Sequence, residues 1–480
     1  MAMTTLATVH AMLPASRLIN ISAEAAQNHM ISSVATDSRV VEQHSLFIAL
    51  KGDRFDAHQF LPEVAAAGAS AALISDQNAC PNTLPAICVT DTRIGLGDFA
   101  KAWRGQFAIP LALVTGSNGK TTVKEMIASI FKAAVGGDAS LVTHGNLNND
   151  IGLPITLLHL RKHHRLAVIE LGMNHPGETA VLASVAQPTI TLVNNAQREH
   201  QEFMATVEAV AREHADAIAA LPLNGVAVFP ADSPFTADWK VIAGQRQVID
   251  FALDGAVAVK GSILQNGQIK IETSQGAIEV RLATLGDHNV RNALAATAVG
   301  LAANIDLRTI QLGLESFQPV VGRMQSKRVG QCLLINDSYN ANPDSVRAAI
   351  DALEKTGTRT CLVLGDMGEV GNKGPEFHHE VGAYAAEHGV SYFLVLGELS
   401  RFAIEGFNEA NVRLGTLAEA AHFDTVEELN TRLAVVCQIL KQSLSRDEVF
   451  TVLIKGSRFM QMERVVEVME SMVLEGHPCS

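Results

Sequence analysis

The sequence predicts an α/β fold of several domains built on mostly parallel sheets. Three observations predict it. The chain's 480 residues are too many for one ordinary core, and a prior of ~150 residues per domain gives about three. Short apolar runs alternate with helical segments through most of its length. One of those runs feeds directly into a glycine-rich turn and a helix, at residues 111–122.

In chain order, the first ~110 residues mix strand-like segments such as 45–50 with Ala-rich helical stretches such as 61–67, which suits a small α/β module. Pro110 precedes the apolar run 111–114, and a helical pattern begins near Thr121, opening a second domain. There the runs 166–171, 190–194 and 226–229 alternate with helices, the pattern of a parallel sheet covered on both faces. Gly116, Glu170 and residues 194–200 fall where those strands end, the place where open α/β sheets bind ligands. Residues 265–275, with Asn266-Gly267, predict a β-hairpin late in this domain. A third module begins near Pro319, with buried strands expected at 332–335, 361–364, 392–396 and 449–454. The expected boundaries are 1–108, 109–318 and 319–480.

Composition narrows the function. The chain is 48% hydrophobic and 18% charged, and each apolar run is too short to cross a bilayer. Residues 1–20 have no charged segment followed by an apolar one, so no secretory signal is read and a cytoplasmic protein is expected. The six cysteines, Cys80, Cys88, Cys332, Cys361, Cys437 and Cys479, lack the paired spacing of a zinc site and read as reduced thiols. A net charge of −13 without a Lys/Arg run opposes general nucleic-acid binding. Anionic ligands must be met by local cations and backbone amides.

The segment Thr-Gly-Ser-Asn-Gly-Lys-Thr-Thr at 115–122 supplies them. Its amides, at Gly116, Ser117, Asn118 and Gly119, and the following helix start would converge on one anion. Lys120 adds a positive charge, and Thr121 or Thr122 a hydroxyl for Mg²⁺. Only two residues separate Gly116 from Gly119 where the common P-loop has four, so this is a variant loop. Glu170 ends an apolar run, and a carboxylate so embedded is costly unless it is paired or bound to metal. Asn146, Asn148 and Asn149 form an amide cluster too polar for a core. Residues 194–200 place several polar groups in one turn; His200 among them could ligate a metal or be structural. His288, Asn289 and Asn292 stand at a helix start, where they could read a purine edge or cap the helix. Arg323 follows Pro319, and residues 336–344 supply carboxylates and amides after a strand.

Taken in order, these segments resemble the Mur ligases over nearly the whole chain. The resemblance is carried by Thr-Gly-Ser-Asn-Gly-Lys-Thr-Thr (115–122), Asn-Leu-Asn-Asn-Asp-Ile-Gly-Leu-Pro (146–154), Glu-Leu-Gly-Met-Asn-His-Pro-Gly-Glu (170–178) and Asn-Asn-Ala-Gln-Arg-Glu-His (194–200). It continues in Gly-Asp-His-Asn-Val-Arg-Asn-Ala (286–293), Gly-Arg-Met-Gln (322–325), Asp-Ser-Tyr-Asn-Ala-Asn-Pro (337–343) and Ile-Lys-Gly-Ser-Arg (454–458). Residues 170–178 and 194–200 look most like the branch that adds D-alanyl-D-alanine to UDP-N-acetylmuramoyl-tripeptide.

The resemblance implies an N-terminal UDP-sugar-binding domain, a central ATPase and a C-terminal Rossmann-like domain that closes over the site. It also implies a monomer that uses ATP and Mg²⁺. By the same resemblance Lys120 holds the ATP phosphates, Thr121 and Glu170 serve one Mg²⁺ and His200 a second. Asn289 and Asn292 lie near adenine, Arg323 near the γ-phosphate and Asp337 near ribose. Asn340, Asn342, Lys455 and Ser457 approach the phosphate or the incoming dipeptide. Ser38 and Arg39, within Thr-Asp-Ser-Arg (36–39), and Asn146, Asn148 and Asn149 are expected on the UDP-substrate. One departure stands out: where many members carry a carbamylated lysine, this chain aligns His214, and the expectation is that His214, Glu213 or Asp216 replaces the missing group. Alternatives are another amino-acid-adding Mur ligase, a folylpolyglutamate synthetase-like enzyme, a nucleotide-driven binding switch or a non-catalytic UDP-sugar-binding protein.

Overall fold

The computed structural model describes residues 3–52, 55–199, 202–204, 206–445 and 448–474. Three large sheets follow one another along the chain. The first has five strands, with Ser45–Ile48 and Ala71–Ile74 at its buried centre and Arg17–Ile19 antiparallel at one edge. The helix Thr92–Arg104 leaves this module and packs on the next one, where Trp103 Nε1 donates to the Leu160 carbonyl at 3.2 Å. Its buried face, Leu96, Phe99, Ala100 and Trp103, belongs to one core that also takes in Leu153, Leu157 and Leu182.

The central sheet has nine strands. Leu111–Thr115 lies in parallel between Leu166–Glu170 and Ile190–Val193, and all three are wholly buried. Such unbroken apolar runs mark strands covered on both faces. The helix Lys120–Val135 covers one side with Val123, Met126, Ile127, Ile130 and Phe131, packed against Asp287–Ala302 and Leu307–Ser316. Gly313 allows that approach, since a Cβ there would stand 2.4 Å from the Ile130 Cα.

The expected hairpin is one part of a longer meander. Val259–Ile263, Ile269–Thr273 and Gly276–Val280 pair antiparallel in sequence and extend the central sheet. The second turn, at Thr273 to Gly276, lacks the Asn-Gly signal that marks the first, so only one hairpin is marked in the sequence.

The C-terminal sheet has six strands. Cys332–Asp337, Phe450–Lys455, Arg359–Gly365, Tyr392–Leu396 and Glu419–Phe423 run parallel, and Gln325–Val329 adds an antiparallel edge. That edge strand, Gln-Ser-Lys-Arg-Val, is half exposed and has no apolar run, which is why periodicity passed over it. Among the described residues no helix is long and apolar enough to cross a membrane.

Candidate active site

The strand register dictates what meets at the top of the central sheet. Because Val114 pairs with Glu170 and Thr115 with Val193, the chain leaves three adjacent strands at Gly116, Leu171 and Asn194. Gly116 and Gly119 take φ of +134° and +77°, conformations side chains rarely adopt. A Cβ would also stand 3.0 Å from the Asn195 nitrogen at Gly116 and 2.8 Å from Asn292 Oδ1 at Gly119. The amide-rich segment after Val193 clamps this loop. Asn118 N donates to Asn195 Oδ1 at 2.8 Å, Gln197 N to Ser117 Oγ at 2.9 Å, and Asn194 Nδ2 to the Asn118 carbonyl at 2.8 Å. Asn194 Nδ2 reaches Asn292 Oδ1 at 2.9 Å, and Asn292 Nδ2 reaches Asn289 Oδ1 at 3.1 Å. Asn289 in turn donates back to the Leu285 carbonyl at 2.7 Å, so neither amide caps its helix.

A cavity of about 990 Å³ opens above the loop, between the central and C-terminal sheets. Lys120, Thr121, Glu170, Asn148 and Glu199 line it from one side, and Arg323, Asp337, Asn340, Asn342, Lys455 and Ser457 from the other. Glu170 is 2% exposed. Its Oε1 accepts from Thr121 Oγ1 at 3.2 Å and Asn148 Nδ2 at 2.8 Å, while the buried Oε2 has no hydrogen-bond partner. An orphaned carboxylate oxygen beside a P-loop hydroxyl fits a hard, oxygen-seeking cation, which would offset the cost of burial. Among the described residues no group of three His, Cys, Asp or Glu side chains forms a metal cage by itself. A Mg²⁺ held by one or two protein oxygens together with substrate phosphates is compatible with that.

Across the cavity, Lys455 Nζ donates to Asp337 Oδ2 at 2.5 Å and to the Asn340 carbonyl at 2.9 Å. The Arg323 guanidinium lies 4.2 Å over the Tyr339 ring, with its buried Nε unpartnered. Ser457 Oγ donates to the Ala341 carbonyl at 3.0 Å and accepts from Gly368 N at 2.7 Å. Side chains at the cavity tie the halves together, and Lys355 pairs with Asp287 across the same boundary. Asn342 Nδ2 donates to Asn118 Oδ1 at 2.8 Å. Arg198 reaches Asp344 and Glu380, its Nη2 lying 2.5 Å from Asp344 Oδ1 and its Nη1 2.7 Å from Glu380 Oε2. Burial opposes the charge on Arg198, yet the bonds to Glu380 and Asp344 hold its guanidinium above its ordinary value; Arg198 in turn holds Glu380 below the usual carboxylate range.

The structure thus gathers most of the residues singled out from the sequence into one cavity. Asn146, Asn148 and Asn149 line the Glu170 side; Asn149 Oδ1 also accepts from Gly152 N at 2.8 Å, at the start of Gly152–Leu158. Thr122 lines the cavity as well. Ser38 and Arg39 stand apart from it in the N-terminal module, where Arg39 pairs with Asp37 at 2.6 Å. His200 lies outside the described residues.

None of His214, Glu213 and Asp216, the residues expected to replace the carbamylated lysine, lines the cavity itself. His214 is completely buried, and Glu213 accepts from Gly177 N at 2.9 Å and Thr179 N at 2.8 Å, holding the start of Glu178–Ala186. Glu199, Arg198, Asp344 and Glu380 were not singled out individually. A carboxylate directly after an arginine in a strand-end turn was the available signal, but its partners are far away in sequence.

Comparison with known proteins agrees with this geometry. The chain matches the Mur ligase middle domain over residues 114–300 and the Mur ligase glutamate ligase domain over 322–458. It is 36% identical over 448 residues to the UDP-N-acetylmuramoyl-tripeptide--D-alanyl-D-alanine ligase of Escherichia coli strain K12, covering 92% of this chain and 94% of that one. The enzyme of the same name from Bacillus subtilis strain 168 is 32% identical, with 91% and 93% covered. A crystal structure of MurF from Acinetobacter baumannii superposes with a TM-score of 0.87 at 32% identity, covering 98% of this chain and 99% of that one. MurF ligase from Thermotoga maritima, solved with ADP, shares the fold at a TM-score of 0.80 and 24% identity, with 93% and 98% covered. A strand-to-helix phosphate loop facing a second α/β sheet, both matched domain by domain, places this chain in the Mur ligase family.

Proposed function

We propose that this Mur ligase spends ATP to join D-alanyl-D-alanine to UDP-N-acetylmuramoyl-tripeptide during synthesis of the peptidoglycan precursor. The observation that carries the reading is the shared cavity: Lys120, Thr121 and Glu170 face Arg323, Asn340 and Lys455 across a space of about 990 Å³. Relatives of that printed function, aligned over more than nine-tenths of the chain, support the choice of substrates. We take the domains to be 1–108 for the UDP-sugar, 109–318 for ATP and 319–480 for closure.

A carboxylate resists attack by an amine because its acyl carbon is flanked by negative oxygens. In this reading the γ-phosphoryl group passes to the tripeptide carboxylate, giving an acyl phosphate and ADP; the dipeptide amine then attacks the acyl carbon and phosphate leaves. Charge builds on the phosphoryl oxygens, and Lys120, the helix-start amides at 119–122 and Arg323 are the donors arranged to meet it. Thr121 and Glu170 would hold Mg²⁺, which supplies further charge neutralisation at the phosphates. Lys455, Asn340, Asn342 and Ser457 come from the opposing domain, so closure both completes the site and keeps water from the acyl phosphate. Asn289 and Asn292 buttress Gly119 from the side on which the adenine is expected, and Asp337 is the carboxylate offered to ribose.

The test is to supply ATP, Mg²⁺, UDP-muramoyl-tripeptide and a panel of amines, and to identify the product by mass. A UDP-muramoyl-pentapeptide with D-Ala-D-Ala is expected. No product from that dipeptide, with product from a single amino acid, would replace the reading with another amide ligase. ATP hydrolysis that ignores both acceptors would favour a nucleotide-driven switch.

A further inference from the structure

Glu199 is a 6% exposed carboxylate at the phosphate end of the cavity, and two side chains from different elements converge on it. Its Oε2 lies 3.2 Å from Lys120 Nζ, and its Oε1 lies 2.9 Å from His214 Nε2. His214 projects from the helix Val207–Ala219, and its other ring nitrogen lies 2.9 Å from Oγ1 of Thr115, the last residue of the strand that leads into the phosphate loop. The imidazole is therefore fixed at both nitrogens and presents the Nε2 edge of a wholly buried ring to Glu199. Bracing of this kind, a ring locked on one side and bonded to a carboxylate on the other, sets the carboxylate's position.

A static ion pair would account for Glu199 if Lys120 had no other duty. The reading proposed above, on which this inference rests, sends the Lys120 charge to the nucleotide phosphates. In the structure its ammonium folds back onto the carbonyls of Gly116 and Ser117. Once that charge is shared with a phosphate chain, Glu199 stands against an anion inside a confined cavity. Two charges of one sign a few ångströms apart repel strongly in such a confined, partly desolvated space. A second cation between them removes that penalty.

We propose that Glu199, braced by His214, is the carboxylate that holds a divalent cation against the transferred phosphoryl group. His214 is then a positioning residue, and the chain has no need of a carbamylated lysine at that position. Glu213 is committed to the backbone at Gly177 and Thr179, which leaves it no part in the role.

The experiment titrates Mn²⁺ into wild type, Glu199→Gln and His214→Ala in the presence of a non-hydrolysable ATP analogue, with free Mn²⁺ read by electron paramagnetic resonance. Nucleotide affinity without metal is measured in parallel. Wild type should bind Mn²⁺ beyond the first equivalent. Glu199→Gln should weaken that later binding by about tenfold or more and His214→Ala by less, with metal-free nucleotide affinity not reduced. Wild-type turnover should be indifferent to removal of bicarbonate. Mn²⁺ binding by Glu199→Gln equal to wild type overturns the proposal and leaves the ligase reading standing. Wild type that binds no metal-nucleotide overturns both. If Glu199→Gln does not fold, crystals of wild type with Mn²⁺ and the analogue decide: an anomalous peak reached by Glu199, directly or through one shared water, supports the assignment, and none beside it refutes it.

Discussion

Arg198→Ala should loosen the closed arrangement of the central and C-terminal domains without unfolding either. Among the described residues, Arg198 of the central domain grips two carboxylates of the opposing domain at once. Its Nε and Nη2 meet Asp344 Oδ1 at 3.0 and 2.5 Å, its Nη1 and Nη2 meet Glu380 at 2.7 and 3.0 Å, and its backbone N donates to Asp344 Oδ2 at 2.9 Å. The guanidinium also lies 5.3 Å from the Phe377 ring centre. Exposed pairs contribute ~0.2–1 kcal/mol, and hydrogen bonds to charged groups ~1.5–3 kcal/mol. Here the arginine side chain is 19% exposed and its partners 20% and 33%, an intermediate situation. We expect truncation to cost about 3 kcal/mol of interdomain coupling, roughly a hundredfold in the ratio of closed to open molecules. The assay is single-molecule energy transfer between dyes on Leu223→Cys and Val412→Cys, exposed positions on the two domains, run in a double-mutant cycle with Asp344→Ala. Rising salt should erode the wild-type advantage, because part of it is Coulombic. A coupling energy below ~0.5 kcal/mol, the range of independent sites, would refute the reasoning.

Three further outcomes follow from the same geometry. Lys120→Ala should abolish ATP-dependent product formation while circular dichroism and the melting temperature stay near wild type, since the ammonium lies at the cavity wall and its partners are local carbonyls and Glu199. Gly119→Ala should cost about 1–3 kcal/mol, read by thermal unfolding and by nucleotide affinity, because a side chain at φ +77° is strained and its Cβ meets Asn292. The thiols of Cys332 and Cys437 are pushed up to about 12 by burial, and Cys361 is raised for the same reason. They should therefore resist a disulfide reagent at pH 8 until the chain unfolds. Since each folded value lies above the ordinary 9.0, the stability contribution is present below pH 9 and is lost as pH climbs toward about 12.

Much of the site was legible because the chemistry that binds phosphate is local. A strand, a glycine turn and a helix start occupy consecutive residues, so the phosphate loop at 115–122 could be read without knowing what faces it. The strands themselves were legible for a similar reason: in Leu166–Glu170 the first four residues, Leu-Ala-Val-Ile, are apolar because both faces are covered. The half-exposed edge strand Gln325–Val329 and the second turn of the meander were missed where that apolar or turn signal was absent.

The family resemblance, the phosphate loop and Glu170 were therefore fixed by the order of residues. The role of Glu199 was decided only by tertiary structure. Its partners come from the loop at Lys120 and the helix at His214, and neither is marked by any periodicity. The same holds for Arg198, whose carboxylates lie 146 and 182 residues away. Electrostatic pairing acts through space at a few ångströms, whereas sequence patterns report only neighbours along the chain and the faces they bury. Long-range charge partners consequently become visible only when the sheets have brought them together.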